Sequence, residues 1–219
     1  MGNYSLLQIV GSTIIGGLLL LGLFRYNGIM IEKKHSYDTQ NIVQKNINEI
    51  NNLLYLDFSK IGYCLNKNEA LKIFEDPIIE ATDSTFAFKT DVPIDVANPF
   101  GDGTPDIVKY YLGGSLSGTV NPRDKALFRK VNSDAPLELN YGITRLKFNY
   151  YDRSGNKLSS PITISSIAVI EYDVTVEDIY GYNYNYITLP DTTYSVQGKT
   201  FFMKMNRKNK IAIRNLKKR

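Results

Sequence analysis

An uncharged, apolar stretch stands near the start of the chain, before any other hydrophobic pattern. From Ser5 to Phe24 no residue carries a charge, and Arg25 is the first ionised side chain after this stretch. At about 1.5 Å per residue, a helix of this length covers the roughly 30 Å hydrocarbon core of a bilayer. A cleaved secretory signal begins with basic residues and ends with small ones, and this stretch has neither feature. We predict a membrane-spanning helix over residues 1–27.

The next segment, residues 28–63, has a one-sided hydrophobic pattern. Its apolar residues recur at steps of three and four, which places them along one side of a helix. They are Val43, Ile47, Ile50, Leu54, Phe58 and Ile61. We predict that the helix continues to Tyr63 with this stripe buried. A kink or break is expected at Asn27-Gly28, because glycine inside a helix costs about 1 kcal/mol relative to alanine.

Beyond Gly62 the apolar residues alternate with polar ones, as in half-buried strands. The clearest strand is Ile143–Tyr151, in which Leu146, Phe148 and Tyr150 share one face. A short helix capped by Asn68 precedes the strands. The other predicted strands lie around Phe86 and Phe88, at Ile107–Leu112, at Ala126–Val131, at Ala168–Val176 and at Phe201–Met205.

A sheet with one apolar face needs a cover, and the amphipathic helix supplies it. The predicted fold class is therefore α+β. A long N-terminal helix, whose first half spans the membrane, packs on an antiparallel β domain over residues 64–219.

Composition excludes most catalytic chemistry. Cys64 is the only cysteine, so no disulfide can form within the chain. His35 is the only histidine. A Cys–His pair would have to bridge about 40 Å of helix. The sequence has no phosphate-binding or nucleic-acid-binding motif, and we expect neither enzymatic activity nor nucleic-acid binding. The end segment from Lys204 onward is basic and free of acidic residues. It predicts either a contact with anionic lipid or an acidic partner surface, or a last strand that is simply exposed to solvent.

Two loops are candidate contact sites. The first gathers Asp95, Asp102 and Asp106 among glycines and prolines. Their carboxylates are the oxygen ligands that calcium prefers, although the spacing is not that of an EF-hand. An ordinary turn accounts for the same residues, and no other cofactor is expected. The second loop, 179–186, alternates tyrosines and predicts either a contact face or a plain hairpin.

Several motifs resemble the type IV pilin superfamily, and within it the minor pilins and minor pseudopilins. The helix end Leu54–Tyr63 is similar to the family's "leucine, x, x, aspartate-leucine-arginine, x, alanine-glycine-tyrosine" motif. Lys125–Lys130 resembles its "x-leucine-tyrosine-arginine" strand, and Tyr141–Asn156 resembles its "glycine-valine-x-x-leucine-x-phenylalanine-x-tyrosine" strand and turn. Ile167–Val176 and Thr200–Arg207 are similar to its last two strands.

This resemblance implies a non-enzymatic minor subunit of a type IV pilus or a type II secretion pseudopilus. Such a subunit is a single-pass protein of the bacterial inner membrane, with its C-terminal domain in the periplasm or in a surface filament. Its partners would be the membrane and other pilin or pseudopilin subunits, contacted through the N-terminal helix. The alternative is a membrane-anchored envelope protein whose β domain binds a ligand or partner outside any filament.

The N-terminal residues differ from the family motif at two positions. Tyr4–Ile9 aligns with "phenylalanine-threonine-leucine-isoleucine-glutamate-leucine", which puts Asn3 in place of glycine and Gln8 in place of glutamate. Gln8 can donate and accept hydrogen bonds but cannot form an ion pair. If the prepilin peptidase acts beside Gly2, the resemblance implies a mature N-terminus at Asn3 or Tyr4.

The apolar stretch also contains a small-residue spacing, Ser12-x-x-x-Gly16. Small residues four apart let two membrane helices approach closely. We therefore predict that Gly16 lies at a helix–helix contact, and the alternative is that these small residues only reflect the usual composition of membrane helices.

Overall fold

A long helix and a set of antiparallel strands make up the described part of the chain. The computed structural model describes residues 2–73, 75–93, 99–179, 182–183, 186–189, 192–195 and 200–213. Helix α1 runs from Gly2 to Ser59 and helix α2 from Lys67 to Ile73. Contacts within the chain define two compact units, Met1–Ile42 and Val43–Arg219.

In the first unit, α1 exposes its large apolar side chains. From Leu6 to Ile31 those side chains are between 44% and 75% exposed. The helix is long and apolar enough to cross a membrane, and none of its apolar window is buried in the chain. The break expected at Asn27-Gly28 is wrong, because α1 is one uninterrupted helix. One glycine costs only about 1 kcal/mol, which helix formers on both sides can offset.

In the second unit, the stripe of α1 is buried as the periodicity predicts. The six residues Val43, Ile47, Ile50, Leu54, Phe58 and Ile61 are at most 3% exposed. The helix ends at Ser59 rather than at Tyr63, because turns begin at Lys60. Gly62 lies in one of these turns at a φ of 76°, a conformation that favours glycine, and its N–H donates to the Lys89 carbonyl at 2.9 Å.

The strands that cover this stripe form a seven-stranded sheet in the order β1-β2-β3-β4-β5-β6-β11. Neighbouring strands are antiparallel throughout, which confirms the predicted α+β fold class. The strands are β1 (Ile78–Ala81), β2 (Thr85–Thr90), β3 (Asp106–Ser115), β4 (Lys125–Val131), β5 (Leu137–Tyr151), β6 (Val169–Glu177) and β11 (Lys204–Ala212). Two short pairs, β7 (Tyr182–Asn183) with β10 (Thr200–Phe201) and β8 (Tyr186–Leu189) with β9 (Thr192–Ser195), lie outside this sheet.

Three details differ from the sequence predictions. Strand β1 was not predicted, because four residues are too few for alternation to show. Helix α2 begins at Lys67, and the side chain of Asn66, not Asn68, caps it by accepting from the Asn68 N–H at 3.0 Å. The last predicted strand is displaced, since β11 begins only at Lys204.

An aromatic cluster holds α1 against the sheet. The ring of Phe58 lies 5.3–6.1 Å from five other rings, mostly in edge-to-face geometry. They belong to Phe86, Phe88, Tyr110, Phe148 and Tyr172, on strands β2, β3, β5 and β6. Edge-to-face pairs contribute about 0.5–1.5 kcal/mol beyond area burial, so this one helix residue fixes four strands.

The outer face of β6 is acidic and is covered by basic side chains of its neighbours. Asp173 lies 3.5 Å from Lys208 of β11 and 3.7 Å from Arg145 of β5. Glu171 lies 3.5 Å from Lys210. Within the described residues, the basic end segment is therefore an edge strand paired with acidic residues. Its predicted contact with lipid or a partner stays a prediction.

Candidate assembly sites

A partly buried polar cluster joins α1 to the sheet at two of the pilin-like motifs. The Asp57 carboxylate of α1 accepts from the Arg129 Nε of β4 at 2.7 Å and from the Tyr110 hydroxyl of β3 at 2.5 Å. Asp57 and Arg129 are each 17% exposed. Burial raises the pKa of the Tyr110 phenol well above its ordinary range, and the nearby Asp57 charge adds to this effect. Tyr110 therefore stays protonated and serves as a donor.

The turns that follow α1 are also fastened to the end of β2 and the residue after it. The Thr90 hydroxyl donates to the Lys60 carbonyl at 2.8 Å, and the Asp91 N–H donates to the Tyr63 carbonyl at 2.8 Å. Because helix ends leave backbone carbonyls without partners, these bonds satisfy them within the domain. The motif from Leu54 to Tyr63 thus specifies where the helix stops and how it meets the sheet.

The third pilin-like motif contains a glycine that the packing requires. Gly142 begins the second half of β5 at a φ of 72°, and a Cβ placed there would lie 2.4 Å from the Glu177 carbonyl oxygen. Any other residue would have to displace β6. The side chain of Asn46 on α1 donates to the neighbouring Tyr141 carbonyl at 3.2 Å.

The candidate calcium loop is used for internal hydrogen bonds where it is described. Asp102 accepts from the Thr104 N–H at 2.7 Å, and Asp106 accepts from the Val92 N–H at 2.9 Å and from the Asn132 amide at 2.6 Å. Asp95 lies outside the described residues. Across the described ranges, no group of three or more His, Cys, Asp or Glu side chains is placed to hold a metal ion. The calcium site stays a prediction.

Beside this loop, Asp91 and Cys64 form a buried anchor that the sequence did not indicate. Asp91 accepts from the backbone N–H groups of Leu65, Asp102 and Gly103 at 2.9–3.1 Å. The Cys64 sulfur lies 3.3 Å from the Gly103 carbonyl oxygen, and burial raises the pKa of its thiol. A protonated, buried thiol is a poor nucleophile, so its role here is packing.

The predicted assembly residues all lie on α1. Gly2, Asn3 and Tyr4 form its first turn, and Gln8 is exposed in the second. A Cβ added at Gly16 meets no atom within 4 Å, so nothing in the chain itself requires a glycine at this position. The Ser12 hydroxyl donates to the Ile9 carbonyl at 2.9 Å and is thus satisfied within the helix. The structure contains one chain, so the helix–helix contact at Gly16 stays a prediction.

Half of the tyrosine loop, 179–186, lies outside the described residues. Tyr180, Gly181, Tyr184 and Asn185 are not described. Its role as a contact face therefore also stays a prediction.

Comparison with known proteins gives a structural similarity only. No family model matches the chain, and no curated protein does. Among solved structures, the chain is similar to a type IV-like pilin from Thermus thermophilus, at 8% identity and a TM-score of 0.43. The similarity covers 79% of this chain and 97% of that pilin. The fold class rests on the chain's own helix and sheet.

Proposed function

We propose that this chain is a membrane-anchored structural subunit that packs through α1 into a pilin-like filament or its initiating tip. More narrowly, we infer a minor subunit of a type IV pilus or of a type II secretion pseudopilus. The observation that carries the proposal is the contrast within α1. Its later residues bury one stripe under the chain's own sheet, whereas the apolar residues before them are exposed.

An apolar surface of that extent has to be covered in the cell. Monomeric soluble proteins rarely expose a contiguous apolar patch of more than a few hundred Å². Lipid can cover the helix while the subunit is in the membrane, and apolar helices of neighbouring subunits can cover it in a filament. The spacing of Ser12 and Gly16 favours close helix packing, and the pilin-like motifs at both ends of the Asp57–Arg129 pair favour this family.

The same reading assigns the β domain to the outside of the cytoplasm, in the periplasm or on the filament surface. Arg25, Lys33 and Lys34 follow the membrane segment and would favour the cytoplasm by the positive-inside rule. Long domains translocate largely regardless of such charges. An envelope protein anchored by a single helix would share this topology but would need no helix–helix contact.

The test is to replace Gly16 by Leu in the full-length chain. The larger side chain has space in the isolated subunit and favours the helix, so insertion and abundance should be unchanged. Between packed helices it should force the backbones apart and reduce assembly by about tenfold, which corresponds to about 1.4 kcal/mol. Crosslinking to other pilin-like subunits and counts of filaments or secreted substrate measure the effect.

Gly22→Leu is the matched control. Gly22 also has open space around its position, but six residues further on its direction from the helix axis is about 120° away from that of Gly16. This variant should assemble at close to the wild-type level. Unchanged assembly of Gly16→Leu would contradict packing through this face and favour the single-anchor envelope protein.

A further inference from the structure

Strand β5 changes partners along its length and leaves a slot beside its second half. Residues 137–143 pair with β4, and residues 143–151 pair with β6. Past Ile143, the edge of β5 that faces away from β6 pairs with no strand in the described part of the chain. Loops contact this edge instead, through two hydrogen bonds, the second of which lies beside an isolated antiparallel bridge between Tyr151 and Lys157. The Phe148 N–H donates to the Asp83 carbonyl at 2.9 Å, and the Leu158 N–H donates to the Tyr150 carbonyl at 2.8 Å.

Residues on both sides of this edge line a half-open cleft of about 250 Å³. We call it the β5 slot. Its polar lining consists of Asp83, Lys147, Asn149, Lys157, Ser159 and Ser160, and apolar residues complete the wall. At about 30 Å³ per water molecule, the slot holds roughly eight waters. That is below the usual range for drug-sized ligands and suits one sugar ring or a molecule of similar size.

One wall of the slot is held in place before any ligand binds. The Tyr150 hydroxyl donates to the Thr82 carbonyl at 2.8 Å, which fastens the Thr82–Asp83 turn to β5. Burial raises the pKa of the Tyr150 phenol, so the hydroxyl remains a donor across the physiological range. A prefixed wall lowers the ordering cost of binding.

The charges in the slot favour a ligand with one negative charge. Lys147 lies 3.5 Å from Asp83, so these two charges largely offset each other. Lys157 forms no ion pair with any residue in the described ranges and is exposed at the rim. Asn149 donates to Glu171 at 2.8 Å, which leaves its amide oxygen as an acceptor. The two serine hydroxyls can donate or accept.

We propose that the β5 slot binds a monoanionic, polyhydroxylated ligand, such as a uronic acid residue of an acidic polysaccharide. Lys157 takes the carboxylate, and Ser159, Ser160 and Asp83 bind hydroxyl groups. A phosphate dianion fits this lining less well because the charges of Asp83, Lys147 and Lys157 sum to +1, which matches a single negative charge. A peptide would need a longer groove than this volume provides. This site does not depend on filament entry, since every residue in it belongs to the β domain.

The test is a titration of the full-length protein with D-glucuronate. The protein should be held in a zwitterionic detergent, because a sugar-headgroup detergent would compete for the slot. Ligand-observed NMR should show saturable binding with a Kd of about 1 mM. Three control ligands should each bind at least about fivefold more weakly. D-glucose has the sugar ring without a carboxylate, acetate has a carboxylate without the ring, and L-alanine is a small zwitterion.

Two variants locate the site. Lys157→Glu should weaken glucuronate binding by about tenfold or more, because it replaces the attracting charge with a repelling one. Ser159→Tyr should abolish binding by filling the slot. Lys204→Glu makes the same charge change at an exposed residue of β11 and should leave binding unchanged. Circular dichroism should show that all three variants fold.

Four results would overturn the proposal. They are no saturable binding of glucuronate, equal or tighter binding of acetate or glucose, tighter binding of alanine, and unchanged binding in the folded Lys157→Glu or Ser159→Tyr variant. Each of these results leaves the filament proposal untouched, because that proposal is tested at Gly16.

Discussion

Two buried aspartates of this chain are accommodated in opposite ways. Asp91 accepts three backbone N–H groups and ties the Gly103 loop to the helix end. Asp124 is fully buried, yet neither of its carboxylate oxygens has a hydrogen-bond partner. Burial raises the pKa of Asp124. The Thr119 hydroxyl and the Lys125 N–H lie near enough to lower this pKa in part, although neither makes a hydrogen bond of normal geometry to the carboxylate. At neutral pH, the first residue stabilises its loop and the second costs stability.

Asp124→Asn should therefore stabilise the protein at pH 7, by about 1 kcal/mol. Because the folded-state pKa lies above the unfolded value, the wild-type folded state loses stability as the pH rises from about 3.9 through the raised pKa. The variant lacks this loss, so its advantage should appear over that interval and vanish below it. Urea unfolding at a series of pH values measures the difference.

Asp134→Asn is the control for this change. Asp134 is exposed, and its replacement should alter stability by less than about 0.5 kcal/mol at any pH. If Asp124→Asn proved less stable than the wild type at pH 7, the carboxylate would have a favourable partner and the account of a costly buried charge would be wrong.

At the scale of elements, the junction between α1 and the sheet combines apolar and ionic contacts. Phe58 supplies the aromatic contacts, and the residue before it, Asp57, pairs with Arg129 and Tyr110. A buried pair is often worth no more than apolar residues of the same size, whereas removal of one partner alone costs about 3–5 kcal/mol. We infer that Asp57 and Arg129 mainly fix the position of the helix on the sheet.

Arg129→Leu tests this inference. It leaves the Asp57 carboxylate partly buried beside Tyr110, and it should lower the free energy of unfolding by about 2–4 kcal/mol, given that both partners keep some exposure. The triple variant Asp57→Leu, Arg129→Leu, Tyr110→Phe removes all three polar groups and should recover most of that loss. Unfolding midpoints in urea measure both. A triple variant no more stable than Arg129→Leu would show that the cluster supplies net stability of its own.

The periodicity of the sequence predicted the elements but not their pairings. The stripe from Val43 to Ile61 and strands β2 to β6 follow from steps of three, four and two, because each burial pattern is local. Asp57 and Arg129 were identified as parts of two motifs, but their contact joins positions 72 residues apart. Such contacts depend on strand register, which alternation alone does not specify.

The β5 slot escaped the sequence for a related reason. It exists because β4 and β6 pair with different halves of β5, and no local pattern marks the point where a strand changes partner. For the assembly residues, the sequence marks the position but a single chain does not show the contact. Gly16 was identified from a four-residue spacing, and the helix that it is predicted to contact belongs to another subunit.

At the scale of the whole molecule, the two compact units differ in whether their apolar side chains are buried within the chain. The unit Met1–Ile42 consists of the part of α1 with exposed apolar side chains, which needs lipid or protein around it. The unit Val43–Arg219 contains the buried stripe of α1 and the sheet that covers it. Its core therefore does not require the membrane segment.

A fragment of residues 36–219 should be soluble without detergent and should unfold in one cooperative step. Its unfolding midpoint in urea should match that of the β domain in the full-length chain, because the fragment keeps every residue of the hydrophobic core. Phe58→Ala in the same fragment should remove about 3–5 kcal/mol, since it takes away the ring that contacts four strands. Aggregation of the unmodified fragment would show that the domain depends on the helical segment before it. A midpoint insensitive to Phe58→Ala would contradict the role of this ring in holding α1 to the sheet.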